Sequence, residues 1–223
     1  MGRFINADAF ASTGQGFIGQ NMFAYCNNTP VMLADSSGTA PVHFLCYVRQ
    51  ETSPGRSYIE DQDDPTVAYQ HFGITNISHG GCGVIASYNA LISLGDSRSF
   101  ENVLGYYNNR MILIPGWGLV GLSPATVANY FRDIGYEVIL TDAPDLIDAY
   151  SRNADASILY YAYPASYAGV RAYGAHFVAY RRSGMNYTGY NTAENGGSFT
   201  FTYPSDYGNM GARFYAIGIF IYG

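Results

Sequence analysis

From residue 77 onward the spacing of apolar residues switches from a helical to an extended period. In "ISHGGCGVIASYNALISLG" (77–95), Val84, Tyr88 and Leu91 recur at helical spacing beside Ile85 and Ile92. This predicts a largely buried helix over Gly83–Leu94, closed by Gly95. "SRSFENVLGYYNN" predicts a second, shorter helix. "SPATVANYFRDIG" predicts a third, with Ser123 as N-cap, Pro124 at the first helical position and Gly135 past its end. "YEVIL" then reads as a strand and "DAPDLIDAYSRN" as a helix begun by Asp142. Beyond Ser157 the segments "SILYYAY", "GAHFVAYRRS", "MNYTGYNT", "GSFTFTY" and "ARFYAIGIFIYG" are rich in Tyr, Phe, Val and Ile, which suits an antiparallel sheet. Helices first and a meander of strands after them give an α+β fold.

The N-terminal part has a different texture. Residues 1–41 are rich in Asn, Gly, Ser and Thr, with short patches such as "GFIG" and "NMFAYC" between turn signals, and hold too little apolar content for a core of their own. Residues 42–76, with Pro54, Gly55 and the acidic stretch Glu60–Asp64, read as a linker or N-terminal extension, with a strand over Val42–Val48. The expected organisation is therefore 1–41, 42–76 and a folded domain over 77–223.

Composition narrows the function classes. A net charge of −6 with no basic cluster beyond Arg181-Arg182 argues against a grip on nucleic acid through phosphates. No apolar run is long enough to cross a membrane, and the start "MGRFINADAF" lacks a signal-peptide core, so a chain without its own export signal is expected. Three cysteines without CxxC spacing suggest neither a disulfide framework nor a zinc site, and no metal or cofactor is expected. All eleven cationic side chains are arginine, which excludes Schiff-base and Walker-type lysine chemistry.

One cysteine stands apart. Cys82 sits among Gly80, Gly81 and Gly83 at the expected start of the first helix, where unpaired N–H groups and the helix dipole favour a thiolate. A thiol nucleophile also needs a base and a group that orients the base. His176, in "GAHFVAYRR", lies at the start of a strand, and Asn191 lies one hairpin downstream in "MNYTGYNT", with Glu194 and Asn195 as substitutes under a shifted register. His79 could pair with Cys82 locally. Cys26 and Cys46 read as packing residues, as do Trp117 and the many tyrosines.

Two resemblances connect these pieces. Residues 2–38, "GRFINADAFASTGQGFIGQNMFAYCNNTPVMLADSSG", are similar to the module that closes the repeat core of rearrangement-hotspot (Rhs/YD-repeat) proteins. That resemblance implies a hollow β-shell upstream, a toxin tip after about Gly38, delivery into a target-cell cytoplasm and a cognate immunity protein. Asp8 and Asp35 match the aspartates with which some members cut themselves, although "ADAF" and "DSSG" lack the family's Asp-Pro. The segments "GGCGVIASYNAL", "GLSPATVANYFRDIGY" and "GAHFVAYRR…YTGYN" resemble papain-like cysteine peptidases, closest to the compact bacterial branch that includes the bacteriocin-leader peptidases.

The second resemblance implies a papain-like fold over roughly 70–222 and hydrolysis of a protein substrate. Cys82 would be the nucleophile, His176 the base and Asn191 its orienter. Asn76, six residues before Cys82, would join the Cys82 N–H as oxyanion donor, with Gln70 farther back. Glutamine deamidation or acyl transfer by the same triad is the alternative within this chemistry. A non-enzymatic structural tip or adhesin is the alternative outside it.

Overall fold

The structure is a computed structural model that describes residues 33–34, 42–43, 57–113, 120–167, 170–192 and 197–223. The chain forms two compact units, Met1–Glu51 and Thr52–Gly223. In the first, β1 (Leu33–Ala34) pairs antiparallel with β2 (Val42–His43). The remaining expectations for this unit, including Asp8, Cys26, Asp35 and Cys46, lie outside the described residues.

The second unit begins earlier than the residue 77 expected from sequence. Residues 57–76 pack as part of it: Val67 and Phe72 are buried in the same apolar cluster as the long helix. A hairpin of β3 (His71–Phe72) and β4 (Thr75–Asn76) then leads into α1 (Ile77–Gly80). The linker reading misses this region because its apolar residues are sparse. Polar contacts from distant residues hold it instead. Asn89 is fully buried on α2 (Cys82–Ser93), where its Oδ1 accepts the Ile59 N–H and its Nδ2 donates to the Ile59 carbonyl, each at 2.9 Å.

Of the two helices that follow, the second carries the boundary signals expected from sequence and the first has a cap that the sequence reading did not name. On α3 (Phe100–Tyr107) Ser99 forms a capping box with Asn102. On α4 (Pro124–Asp133) Ser123 accepts from the Thr126 N–H, Pro124 opens the helix, and Gly135 lies beyond at φ 101°. A short pairing of β5 (Ile112–Leu113) with β6 (Val120–Gly121) lies between them. After β7 (Glu137–Thr141), α5 spans Pro144–Ser151 with Ala143 at the N-cap. Asp142 is therefore not its cap. The Thr141 hydroxyl takes the Ala143 N–H, and Pro144 begins the helix without needing a donor.

The main sheet is antiparallel, with six strands in the order β11-β10-β9-β8-β12-β7. Strands β8 (Ala156–Tyr167), β9 (Val170–Ser183), β10 (Asn186–Tyr190) and β11 (Ser198–Phe201) form the expected meander. The last strand, β12 (Phe214–Tyr222), departs from that order and inserts between β8 and β7. Before it comes a short helix that the sequence pattern misses, α6 (Pro204–Gly208). Its start is held by the Asp148 carboxylate of α5, which accepts from the Ser205 N–H and hydroxyl at 3.0 and 2.7 Å.

Alternation along β9 divides the interior into two clusters. Phe177 and Ala179 face α2, α3 and α4, whereas Val178 and Tyr180 face Ile147 of α5 and Tyr207 of α6. The described domain is therefore α+β, with helices on both faces of one antiparallel sheet.

Because Asn89 satisfies both main-chain groups of Ile59, Asn89→Ala leaves buried partners unpaired. It is expected to lower the unfolding free energy by about 2–3 kcal/mol in urea titration. A loss below about 0.5 kcal/mol would show that the 57–60 segment contributes nothing to folding.

Candidate functional site

Cys82 is the first residue of α2, and every residue from Gly83 to Ile92 is buried behind it. The short α1 precedes it and breaks at Gly81, whose N–H returns to the Ile77 carbonyl at 2.8 Å. Gly81 and Gly83 are in close contact with neighbouring protein and do not leave room for a substrate. A Cβ on Gly81 would lie 2.7 Å from the Ile77 Cα, and one on Gly83 would press on Leu122 at 3.0 Å. Both glycines let the turn of α1 and the β6–α4 connection close against α2. That packing fixes the direction in which Cys82 projects.

The Cys82 sulfur lies near the main chain of β9, where the Phe177 N–H favours its thiolate form. That N–H belongs to the peptide joining His176 to Phe177, where the two side chains diverge to opposite faces of the sheet. Phe177 turns toward α2, and its ring lies 5.0 Å from that of Tyr160. His176 turns toward Tyr161, its cross-strand partner, with ring centroids 6.0 Å apart. No hydrogen bond joins the thiol to the imidazole among the described residues.

The imidazole is held from its other side. His176 is 8% exposed, and its Nε2–H donates to the Asn191 main-chain carbonyl at 2.6 Å. This contact fixes the tautomer that leaves Nδ1 with its lone pair. Asn191 adopts φ 56°, a left-handed conformation that asparagine tolerates better than most residues. Its own carboxamide is buried, and Nδ2 makes no hydrogen bond. The structure thus brings His176 and Asn191 together through the peptide carbonyl and not through the Asn191 side chain.

Asn76 is placed as the N-cap of α1. Its Oδ1 accepts from the His79 N–H at 3.2 Å and faces His79 Nδ1 at 2.9 Å and the Ser78 hydroxyl at 3.2 Å. His79 is exposed and engaged with Asn76 and Ser78, so it is not paired with Cys82. Gln70 donates to the Thr66 carbonyl at 3.1 Å, within its own turn. Glu194, Asn195 and Trp117 lie outside the described residues.

The electrostatics differ from the thiolate–imidazolium pair that a helix N-terminus suggests. Burial pushes the Cys82 thiol above its ordinary value and outweighs the N–H groups of Phe177, Gly83 and Cys82 itself, which favour the thiolate. Burial also lowers the His176 pKa to about 4; the Asn191 carbonyl opposes that shift and the nearby Arg213 cation adds to it. Arg213 itself is stacked on the rings of Tyr161 and Tyr207, at 4.3 and 4.4 Å. At neutral pH the thiol and the imidazole are therefore both uncharged. The correction has a tertiary cause, since α2 is buried from Gly83 onward and Cys82 itself is partly buried. Among the described residues no cluster of His, Cys, Asp and Glu could hold a metal ion.

Sequence reasoning missed Arg213 and Tyr161. Neither carries a local signal, because β12 and β8 become neighbours only when the last strand inserts. In the comparisons with known proteins, no family model matches the chain and no curated protein matches it.

The lowered pKa of His176 has a consequence for stability. Between pH 6.5 and about 4 the unfolded chain binds the His176 proton and the folded chain does not. This contribution is complete above pH 6.5, and it is lost as pH falls toward 4, to a total of about 3 kcal/mol. Chemical denaturation across this window should show the loss in the native chain and a flatter profile in His176→Gln. Identical profiles would contradict the buried neutral imidazole.

Proposed function

We propose that residues 52–223 are a thiol-dependent hydrolase of papain-like architecture, delivered as the tip of an Rhs-type toxin and acting on proteins of the target cell. The observation that carries this reading is the closeness of Cys82 to the N–H of Phe177, the residue that follows a histidine whose Nε2–H is already held by Asn191. Helix start, strand histidine and downstream asparagine occur in the order of the family resemblance. The match of residues 2–38 to the Rhs closing module supports the toxin context.

In this reading the resting pair is neutral, and charge develops only with substrate present. Once His176 Nδ1 is brought within reach of the thiol, the Cys82 Sγ attacks the carbonyl carbon while its proton passes to His176, so that the S–C bond forms as the S–H bond breaks. The N–H groups of Cys82 and Gly83 at the start of α2 are placed to receive the oxyanion. Asn76 would donate to it from Nδ2, since its Oδ1 caps α1. As the C–N bond breaks, His176 returns the proton to the leaving amine. Water then hydrolyses the thioester and regenerates the thiol. A glutamine side chain would lose ammonia by the same steps, and an acceptor amine in place of water would give acyl transfer.

The test is expression of the full 223-residue chain in bacterial cells, with intact-mass and N-terminal analysis of cell proteins. The native chain should arrest growth and create new protein termini, and Cys82→Ala and His176→Ala should reduce this at least about 10³-fold. Gln→Glu shifts of +1 Da without new termini would move the assignment to deamidation. Equal harmlessness of the native chain and Cys82→Ala would overturn the enzyme reading and favour a structural tip.

Asn191 gives a second test. Because its carbonyl does the orienting at φ 56°, Asn191→Gly should retain activity within about threefold, whereas Asn191→Val, strained at positive φ, should lose most of it. Loss of activity in both variants to the same degree would assign the role to the carboxamide.

A further inference from the structure

The peptide that holds His176 is itself held by the segment at the start of the domain. Tyr58 lies flat on Tyr190, the neighbour of Asn191, with ring centroids 4.0 Å apart and planes within 1°. Two residues later the Glu60 carbonyl accepts the Gly197 N–H at 2.6 Å. Gly197 in turn takes the Thr192 N–H on its own carbonyl at 3.2 Å, which ties the residues after β10 to those before β11. Residues 58 and 60 therefore contact both sides of this tie.

The same segment is anchored to the central helix. Asn89 holds both main-chain groups of Ile59, and the Tyr58 hydroxyl lies 3.3 Å from the Ser93 hydroxyl. The Arg181 guanidinium stands over the Tyr58 ring at 5.8 Å. A continuous path thus runs from α2, which presents Cys82, through residues 58–60 to the carbonyl that receives His176 Nε2–H.

We propose that residues 58–60 are a positioning brace for the Cys82–His176 site, with Tyr58 as its key side chain, acting on His176 through the Asn191 peptide. Tyr58 is a positioning residue. It touches neither the thiol nor the imidazole. The brace explains why the folded unit begins near residue 52 and not at the helix that carries the thiol. It also fixes a limit for any processing of the chain: a cut on the N-terminal side of Ser57 leaves the site intact, and a cut after Glu60 loosens it. The claim that the brace serves catalysis rests on the function proposed above, but the claim that it positions His176 does not.

The test compares Tyr58→Ala and Tyr58→Phe in the full chain. The readouts are the His176 Nε2–H resonance, its exchange with solvent, the thermal midpoint and turnover. Tyr58→Phe keeps the stack and should preserve the resonance and kcat. Tyr58→Ala should speed Nε2–H exchange at least tenfold and lower kcat with little change in KM. A Tyr58→Ala protein that is folded and retains native exchange would overturn the proposal. Should that variant fail to fold, native-state exchange of the unaltered chain decides the matter. Under the proposal the Ile59 and Gly197 amides open together with His176 Nε2–H, and independent opening overturns it. Because these exchange readouts need no substrate, they remain decisive even if Cys82→Ala proves harmless and the hydrolase reading fails.

Discussion

The burial of α2 against β9 is the constraint on which the rest of the domain depends. A helix that buries ten consecutive residues cannot slide or turn without exposing apolar surface, so its first residue is placed as firmly as its middle. That placement brings Cys82 to the peptide between His176 and Phe177. It also explains why the thiol is protonated at rest: the packing that aims the sulfur removes much of its contact with water. Position and charge state come from one cause.

The sheet supplies the second half of the site by dividing its neighbours between two faces. Phe177 completes the α2 face, and His176 begins the opposite one, among Tyr161 and the stacked Arg213. The imidazole is therefore desolvated and neutral, and a main-chain carbonyl holds it in one tautomer. Neither group carries charge at rest, and under the proposals above the contacts of Asn89 and Tyr58 would hold the Asn191 peptide rigid.

The parts legible in the sequence were those whose cause is local. The helices α2 and α4 follow from apolar spacing and from Ser123, Pro124 and Gly135, and β8 to β11 follow from their aromatic and β-branched runs. The cap of α6 was hidden because Asp148 comes from another helix. The place of β12 between β8 and β7 was hidden because no pattern within a strand encodes its neighbour. Residues 57–76 look like a linker until Asn89 is seen to hold Ile59. At the candidate site, residue type and order singled out Cys82, His176 and Asn191, of which the structure joins His176 to Asn191. The use of the Asn191 carbonyl was not, since it depends on a positive φ at the end of β10. Nor was the raised thiol pKa, which depends on how tightly α2 is covered.

The central claim is that Cys82 and His176 rest as a neutral pair, and the pH dependence of Cys82 alkylation by iodoacetamide tests it most directly. The account predicts that the rate climbs with pH to a single inflection above the ordinary thiol value of 9.0, with no reactive plateau on the acid side. A plateau of rapid alkylation extending down toward pH 4, abolished in His176→Gln, would reveal a preformed thiolate–imidazolium pair and contradict it.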